Sequence, residues 1–174
     1  MNFKIFFLGI LLSTIVFAGC ATTSNSNKLS EFRNTNWSKM GRLNVEQLVG
    51  KPDTTGVIHN TRKEALVYLA DDRKSPQLIV VYDKQTDKIH SVHWFANTPS
   101  DKLTLEQARS RFPNIRFQEN PTVKDGAWGE SIAVYSAKDS PLEINMDSKT
   151  QKLSSLSWQY EADDVAERRK PTSH

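Results

Sequence analysis

Between Leu43 and Trp158 the chain runs through one succession of residues twice, and this constrains its fold more than any other feature. Leu43-Asn44-Val45-Glu46-Gln47-Leu48 is matched by Leu103-Thr104-Leu105-Glu106-Gln107-Ala108, and Ala65-Leu66-Val67-Tyr68 by Ile132-Ala133-Val134-Tyr135. Ser75-Pro76, Asp83, Thr86, Lys88-Ile89, Val92 and Trp94 then find Ser140-Pro141, Asp147, Thr150, Lys152-Leu153, Leu156 and Trp158 in the same order. A unit of roughly 60 residues buries too small a share of its surface to be more than marginal alone. The two copies are therefore expected to share one core.

Each copy opens on a helix-start signal. Asn44 and Thr104 are read as N-caps, with Gln47 and Gln107 three positions later to complete a capping box. Leu43 is placed to pack on Leu48 as a hydrophobic staple, and Gly50 with Pro52, and Pro113 in the second copy, close the helices. Glu46 and Glu106 fall in the first turns, where the helix dipole favours an acid, which explains them better than a catalytic carboxylate pair. Three strands are expected to follow in each copy: Ala65 to Leu69, Gln77 to Tyr82 and Lys88 to Phe95, then Ile132 to Ser136, Leu142 to Met146 and Lys152 to Tyr160. Five polar residues, 83–87 and 147–151, separate the last two strands of each copy, a hairpin length. The second copy carries seven extra residues near Asn114 to Glu130, read as an extra strand or a contact loop around Trp128. The expectation is an α+β fold: two tandem α-β-β-β repeats, about residues 40–96 and 100–160, forming antiparallel sheet packed by short helices within a domain of residues 37–160.

The N-terminus is of another character. Lys4 precedes an apolar run from Ile5 to Phe17 that ends at Ala18-Gly19-Cys20. The run falls short of the roughly 20 apolar residues a helix needs to span a bilayer, and small residues before Cys20 suit a peptidase, so residues 1–19 read as an export signal. Val16-Phe17-Ala18-Gly19-Cys20 resembles the bacterial lipobox, with Phe17 in place of the usual Leu. The resemblance implies cleavage before Cys20 and lipid attachment at that residue, the only cysteine in the chain. Several acyl chains would make a durable anchor, at about 0.8 kcal/mol per buried methylene. Ala21 after the cysteine implies an outer-membrane address facing the periplasm. Residues 20–36, rich in Ser, Thr and Asn, read as a solvated tether, and residues 161–174 as a charged tail.

The stretch Asn44-Val45-Glu46-Gln47-Leu48-Val49-Gly50-Lys51-Pro52-Asp53 resembles the helix motif of the BamE (SmpA/OmlA) family of outer-membrane assembly lipoproteins. In its doubled form the pattern is also similar to the β-lactamase inhibitor protein superfamily. The second copy departs from the motif, with Phe112-Pro113 where a Gly-x-Pro ending would stand. What the resemblance implies is binding: an accessory subunit in envelope assembly or, alternatively, an inhibitor or ligand-binding domain that uses a concave sheet.

The residues themselves point to no enzyme. There is no phosphate loop, dinucleotide turn or nucleophile elbow, and no cofactor is called for. His90 and His93 would point to opposite faces of a regular strand and could share a metal only across a bulge. The formal charge of +3 falls to +2 without Lys4, and acids and bases are interspersed, so a nucleic-acid partner is not indicated. One asymmetry stands out. The outward positions of the middle strand are Glu143 and Asn145 in the second copy but Ile79 and Val81 in the first. Apolar residues on both faces imply that something covers the strand twice, either the protein's own helices and the 114–130 segment or a partner. Ile79, Val81 and Trp128 are thus the candidate partner-binding residues, Cys20 the lipid site, and an envelope protein the expected partner.

Overall fold

The computed structural model describes residue 29 and residues 32–58, 61–125 and 129–160. These form one antiparallel sheet of eight strands: β1 (Thr54–Val57), β2 (Lys63–Leu69), β3 (Pro76–Asp83), β4 (Ile89–Phe95), β5 (Thr122–Asp125), β6 (Ser131–Ser136), β7 (Leu142–Asp147) and β8 (Leu153–Gln159). The spatial order is β1-β2-β3-β4-β8-β7-β6-β5, so β4 and β8 meet at the centre. Two short helices, α1 (Arg42–Val49) and α2 (Leu105–Ser110), 3₁₀ turns at Trp37–Lys39 and Pro99–Asp101, and helical backbone at residues 32–34 ahead of Trp37 accompany the sheet.

This overturns the expected fold class. The chain is predominantly a single eight-stranded sheet carrying a few short helices, not an α+β arrangement of two tandem α-β-β-β repeats packed by helices. The two strands that complete the sheet, β1 and β5, are its edges, and all four residues of each are exposed. Their attachment is by backbone pairing to β2 and β6, which leaves no alternation of apolar residues for the sequence to display. β5 falls inside the 114–130 segment.

The core lies on one face of the sheet. Leu66, Tyr68, Leu78, Val80, Val92, Trp94, Leu142, Ile144, Met146 and Leu156 point into it, each at most 2% exposed. Val45 and Val49 of α1, Ala108 of α2, and Phe32 and Trp37 ahead of α1 close over them. At roughly 1.5–3 kcal/mol for each large apolar side chain removed from water, this layer dominates stability. Phe32 belongs to the stretch expected as tether, yet it is fully buried and accepts the Trp37 indole N–H on its carbonyl oxygen at 3.0 Å. The packed body therefore reaches back at least to Phe32.

Helix starts show one expectation met and one displaced. Thr104 caps α2: its Oγ1 accepts from the Gln107 amide at 3.3 Å while Gln107 Oε1 accepts from the Thr104 amide at 2.9 Å. In α1 the cap is Gly41, and Asn44 sits one turn inside, where its Oδ1 accepts from the Gly41 amide at 3.0 Å. Because the helix begins three residues earlier than expected, Val45 and Val49 face the core. Leu43 and Leu48 are 69% and 40% exposed, and no staple forms between them. The hairpin loops follow their sequence closely. Asp83 Oδ1 accepts from the amides of Gln85 and Thr86 at 2.8 and 2.9 Å, and Asp147 Oδ1 from those of Lys149 and Thr150, both at 2.8 Å. Each loop ends on a residue of positive φ, Asp87 at 56° and Gln151 at 55°.

Candidate functional site

The face opposite the helices is read off the strand register, because side chains across a ladder share a face. One row crosses seven strands: Thr54, Val67, Ile79, His93, Ser157, Glu143 and Ser136. Two flanking rows are Ala65, Val81, Ser91 and Gln159 on one side, and Phe95, Ser155, Asn145, Val134 and Thr122 on the other. The β2 and β3 half is thus apolar and the β7 and β8 half carries hydroxyl, amide and carboxylate groups. His93 stands at the boundary.

The polar half is internally bonded. Asn145 Nδ2 donates to Ser155 Oγ and Ser157 Oγ, both at 3.1 Å. The Glu143 carboxylate accepts from the hydroxyls of Ser136 and Ser157 and from the Gln159 amide, each at 3.4 Å, with Lys124 Nζ at 4.0 Å. An open cleft of about 450 Å³ adjoins this end, lined by Ser136, Ser140, Pro141, Leu142, Glu143, Gln159 and Tyr160. Such a surface can hold a partner's polar groups in register at small ordering cost, since its own side chains are already fixed.

Ile79 is half-buried and Val81 is 7% exposed, both on this face. Among the described residues the helices and the Ile115 and Phe117 stretch all pack into the opposite, core side, so the protein's own helices are not what faces Ile79. The other candidate residues, Trp128 and Cys20, lie outside the described residues, as do the export signal and the charged tail.

The histidines sit differently from a regular strand. The β3–β4 register steps from Val81↔Ser91 to Tyr82↔Ile89, which makes His90 the extra residue of a bulge. The alternation that would separate His90 from His93 is therefore lost at this point. His90 Nε2 lies 3.1 Å from Lys63 Nζ, and His93 Nε2 lies 3.0 Å from Ser91 Oγ. Burial, and secondarily repulsion from His90, holds the His93 imidazole below its ordinary pKa of 6.5. Among the described residues no three His, Cys, Asp or Glu side chains gather where a metal ion could sit. Nor is any helix among them long and apolar enough to cross a membrane.

No protein-family model and no curated protein sequence matches the chain. Among solved structures it is similar to a DUF4309 family protein (YjgB) from Bacillus subtilis subsp. subtilis, at 14% identity and a TM-score of 0.45, over 79% of this chain and 95% of that one.

The residues that the strand pattern did not single out as a site are His93, Ser155 and Ser157. For the serines the signal lay in β8, where Ser155 and Ser157 flank the buried Leu156 and so share the opposite face. Only the central pairing of β4 with β8 sets those serines beside Ile79 and His93.

Proposed function

We propose that the chain is a non-catalytic interaction module of the cell envelope, held to a membrane through lipid on Cys20 and engaging one envelope protein through the helix-free sheet face. The row from Val67 through Ile79 and His93 to Ser157 and Glu143 carries the reading, because it sets an apolar strip against an ordered polar one on a face that none of the described helices covers. The fitting partner surface is apolar where it meets Val67 and Ile79 and offers hydrogen-bonding groups where it meets Ser155, Glu143 and Ser136, while buried Ser157 holds Asn145 and Glu143 in place from beneath. The lipobox residues support the anchor, and a tether from Cys20 to Phe32 would hold the body on the order of 20 Å from the lipid, by about 5–6 Å times the square root of residue number.

A photoreactive residue placed at Ile79 in cells tests the partner role, with the same residue at Leu48, exposed on the helix side, as the control. One envelope protein captured from position 79 and not from 48 is the expected result. An adduct with a second copy of the chain, or no adduct, would set the proposal aside. Incorporation of labelled palmitate, and its loss in Cys20→Ser, tests the anchor separately. The alternative of a ligand-binding domain draws on the 450 Å³ cleft beside Glu143; saturable capture of a small molecule abolished by Glu143→Gln, with no crosslink from Ile79, would favour it.

A further inference from the structure

A second cleft lies on the helix side, away from the face just described. It is open, about 290 Å³ in volume, and lined by Arg33, Leu103, Gln107, Ser110 and Arg111. Two permanently charged guanidinium groups reach it from different elements, Arg33 from the helical turn ahead of Trp37 and Arg111 from the C-cap of α2. Among the described residues no carboxylate lines the cleft and neither arginine has an ion-pair partner.

Each arginine has to be weighed against a purely structural role. A cation at the C-terminus of a helix is favoured by the dipole, and this accounts for Arg111. Neighbouring Arg109 has an acceptor, donating through a terminal nitrogen to the Gln118 carbonyl oxygen at 2.7 Å, and lies over the Tyr135 ring at 5.2 Å from its centroid, although its buried Nε has no partner. Arg33 is different. Its guanidinium stacks over Phe112 at 5.8 Å, which fixes its plane, and among the described residues none of its nitrogens has an acceptor; the Nε is closed off, so the terminal nitrogens are the ones left to the cleft. A guanidinium held in place without an acceptor, in a cleft that a second cation also lines, is suited to an anion that balances both. Gln107 adds to the donor set: its Oε1 is occupied by the Thr104 amide, which leaves the side-chain NH₂ as its free polar group.

We infer that this cleft binds the phosphate group of a phosphate monoester. Guanidinium forks match phosphate oxygens two at a time, and a dianion balances both charges where a carboxylate would balance one. The cleft exceeds the volume of a bare phosphate, so a short organic stem can lie against Leu103. The inference is independent of the sheet-face proposal, since it uses none of that face's residues.

Titration of the full-length chain in neutral detergent with inorganic phosphate and with glycerol 3-phosphate, followed by calorimetry at fixed ionic strength, tests it. Saturable binding is expected, weakened about tenfold or more in Arg33→Gln and in Arg111→Gln, the scale of a charge-assisted hydrogen bond. Arg111 is exposed, so its replacement leaves packing intact and keeps the test valid should Arg33→Gln unfold. Lys74→Gln, on an exposed turn of the other half, is expected to bind as the parent does, and acetate is expected to bind at least tenfold more weakly than phosphate. No saturable phosphate binding, or an equal loss in Lys74→Gln, would overturn the assignment. Doping the micelles with an anionic phospholipid separates two sources of the same group. Displacement of glycerol 3-phosphate assigns the site to a lipid headgroup, and no displacement assigns it to a soluble monoester; either supports a phosphate site.

Discussion

Asp87, in the β3–β4 loop, takes over the capping of α1 from Gly41. Its Oδ1 accepts the Arg42 amide at 2.9 Å, and its carboxylate occupies the space that a Cβ on Gly41 would need. A glycine cap cannot supply an acceptor of its own, so a residue 45 positions along the chain from Arg42 satisfies one of the helix's unpaired amides and ties α1 to the sheet.

Gly41→Ala is therefore expected to destabilise the protein by about 1–3 kcal/mol, the range of an overpacked site, rather than by the few tenths of an ordinary cap change. Denaturant midpoints check this. In an Asp87→Gly background, which removes the obstructing carboxylate at a position of positive φ, the same alanine is expected to cost at least about 1 kcal/mol less. Equal costs in the two backgrounds would show that Asp87 is not the obstruction.

The two hairpin aspartates contribute to the loss of stability in acid. Backbone amides of the loop, first among them Thr86 for Asp83 and Thr150 for Asp147, hold both carboxyls below the ordinary value of 3.8. A depressed folded-state pKa contributes stability that is fully present above pH 3.8 and is lost as pH falls through the lower folded values. Asparagine keeps the acceptor oxygen but does not titrate. The Asp83→Asn, Asp147→Asn double variant is expected to retain most of its stability at neutral pH and to show a flatter decline below pH 3.8, measured as denaturant midpoint against pH.

His93 acts in a different window. Its imidazole is held below 6.5, so the neutral form is preferred in the folded state, and the associated stability is complete above pH 6.5 and falls as pH drops from there through the lower folded value. His93→Gln is expected to remove this part of the pH dependence. Because His93 sits between Ile79 and Ser157 in the cross-sheet row, its protonation would also place a charge beside the apolar strip. Capture of the partner from position 79 is expected to weaken over the same pH range in the parent chain and not in His93→Gln.

Much of the sheet was legible because its inner strands carry alternating burial. Leu78, Val80 and Tyr82, or Leu142, Ile144 and Met146, cannot face the core in any other register. The polar loops at Asp83 and Asp147 and the cap at Thr104 could be read for the same reason, since each is decided by neighbours within a few residues. The fold class could not. It depends on edge strands with no buried residue and on the pairing of β4 with β8, some 60 positions apart, which no local pattern encodes. The start of α1 was misplaced on similar grounds, because the residue that stabilises it is Asp87. At the candidate site, Ile79 and Val81 were visible as apolar residues in outward positions, while their polar counterpart across β8 required the long-range register. The bulge at His90, which the strand reading allowed for only as an exception, is invisible to simple alternation.

Leu78 and Ile79 are neighbours in β3 on opposite faces, and they separate folding from recognition. Leu78 is fully buried in the core, so Leu78→Ala is expected to cost about 2–5 kcal/mol through lost burial and the cavity left behind. Ile79 is only half-buried, and Ile79→Ser is expected to cost about 1 kcal/mol, mostly from lost contact with Val67 and His93 along the row. Recovery of the envelope partner should follow the opposite order: nearly complete for Leu78→Ala below its own unfolding temperature, and reduced at least tenfold for Ile79→Ser although that chain is the better folded of the two. Measuring thermal unfolding and partner recovery on the same preparations decides the matter. If Ile79→Ser unfolded as readily as Leu78→Ala, the face would be a second core, and if its recovery were unchanged, the partner would have to bind elsewhere.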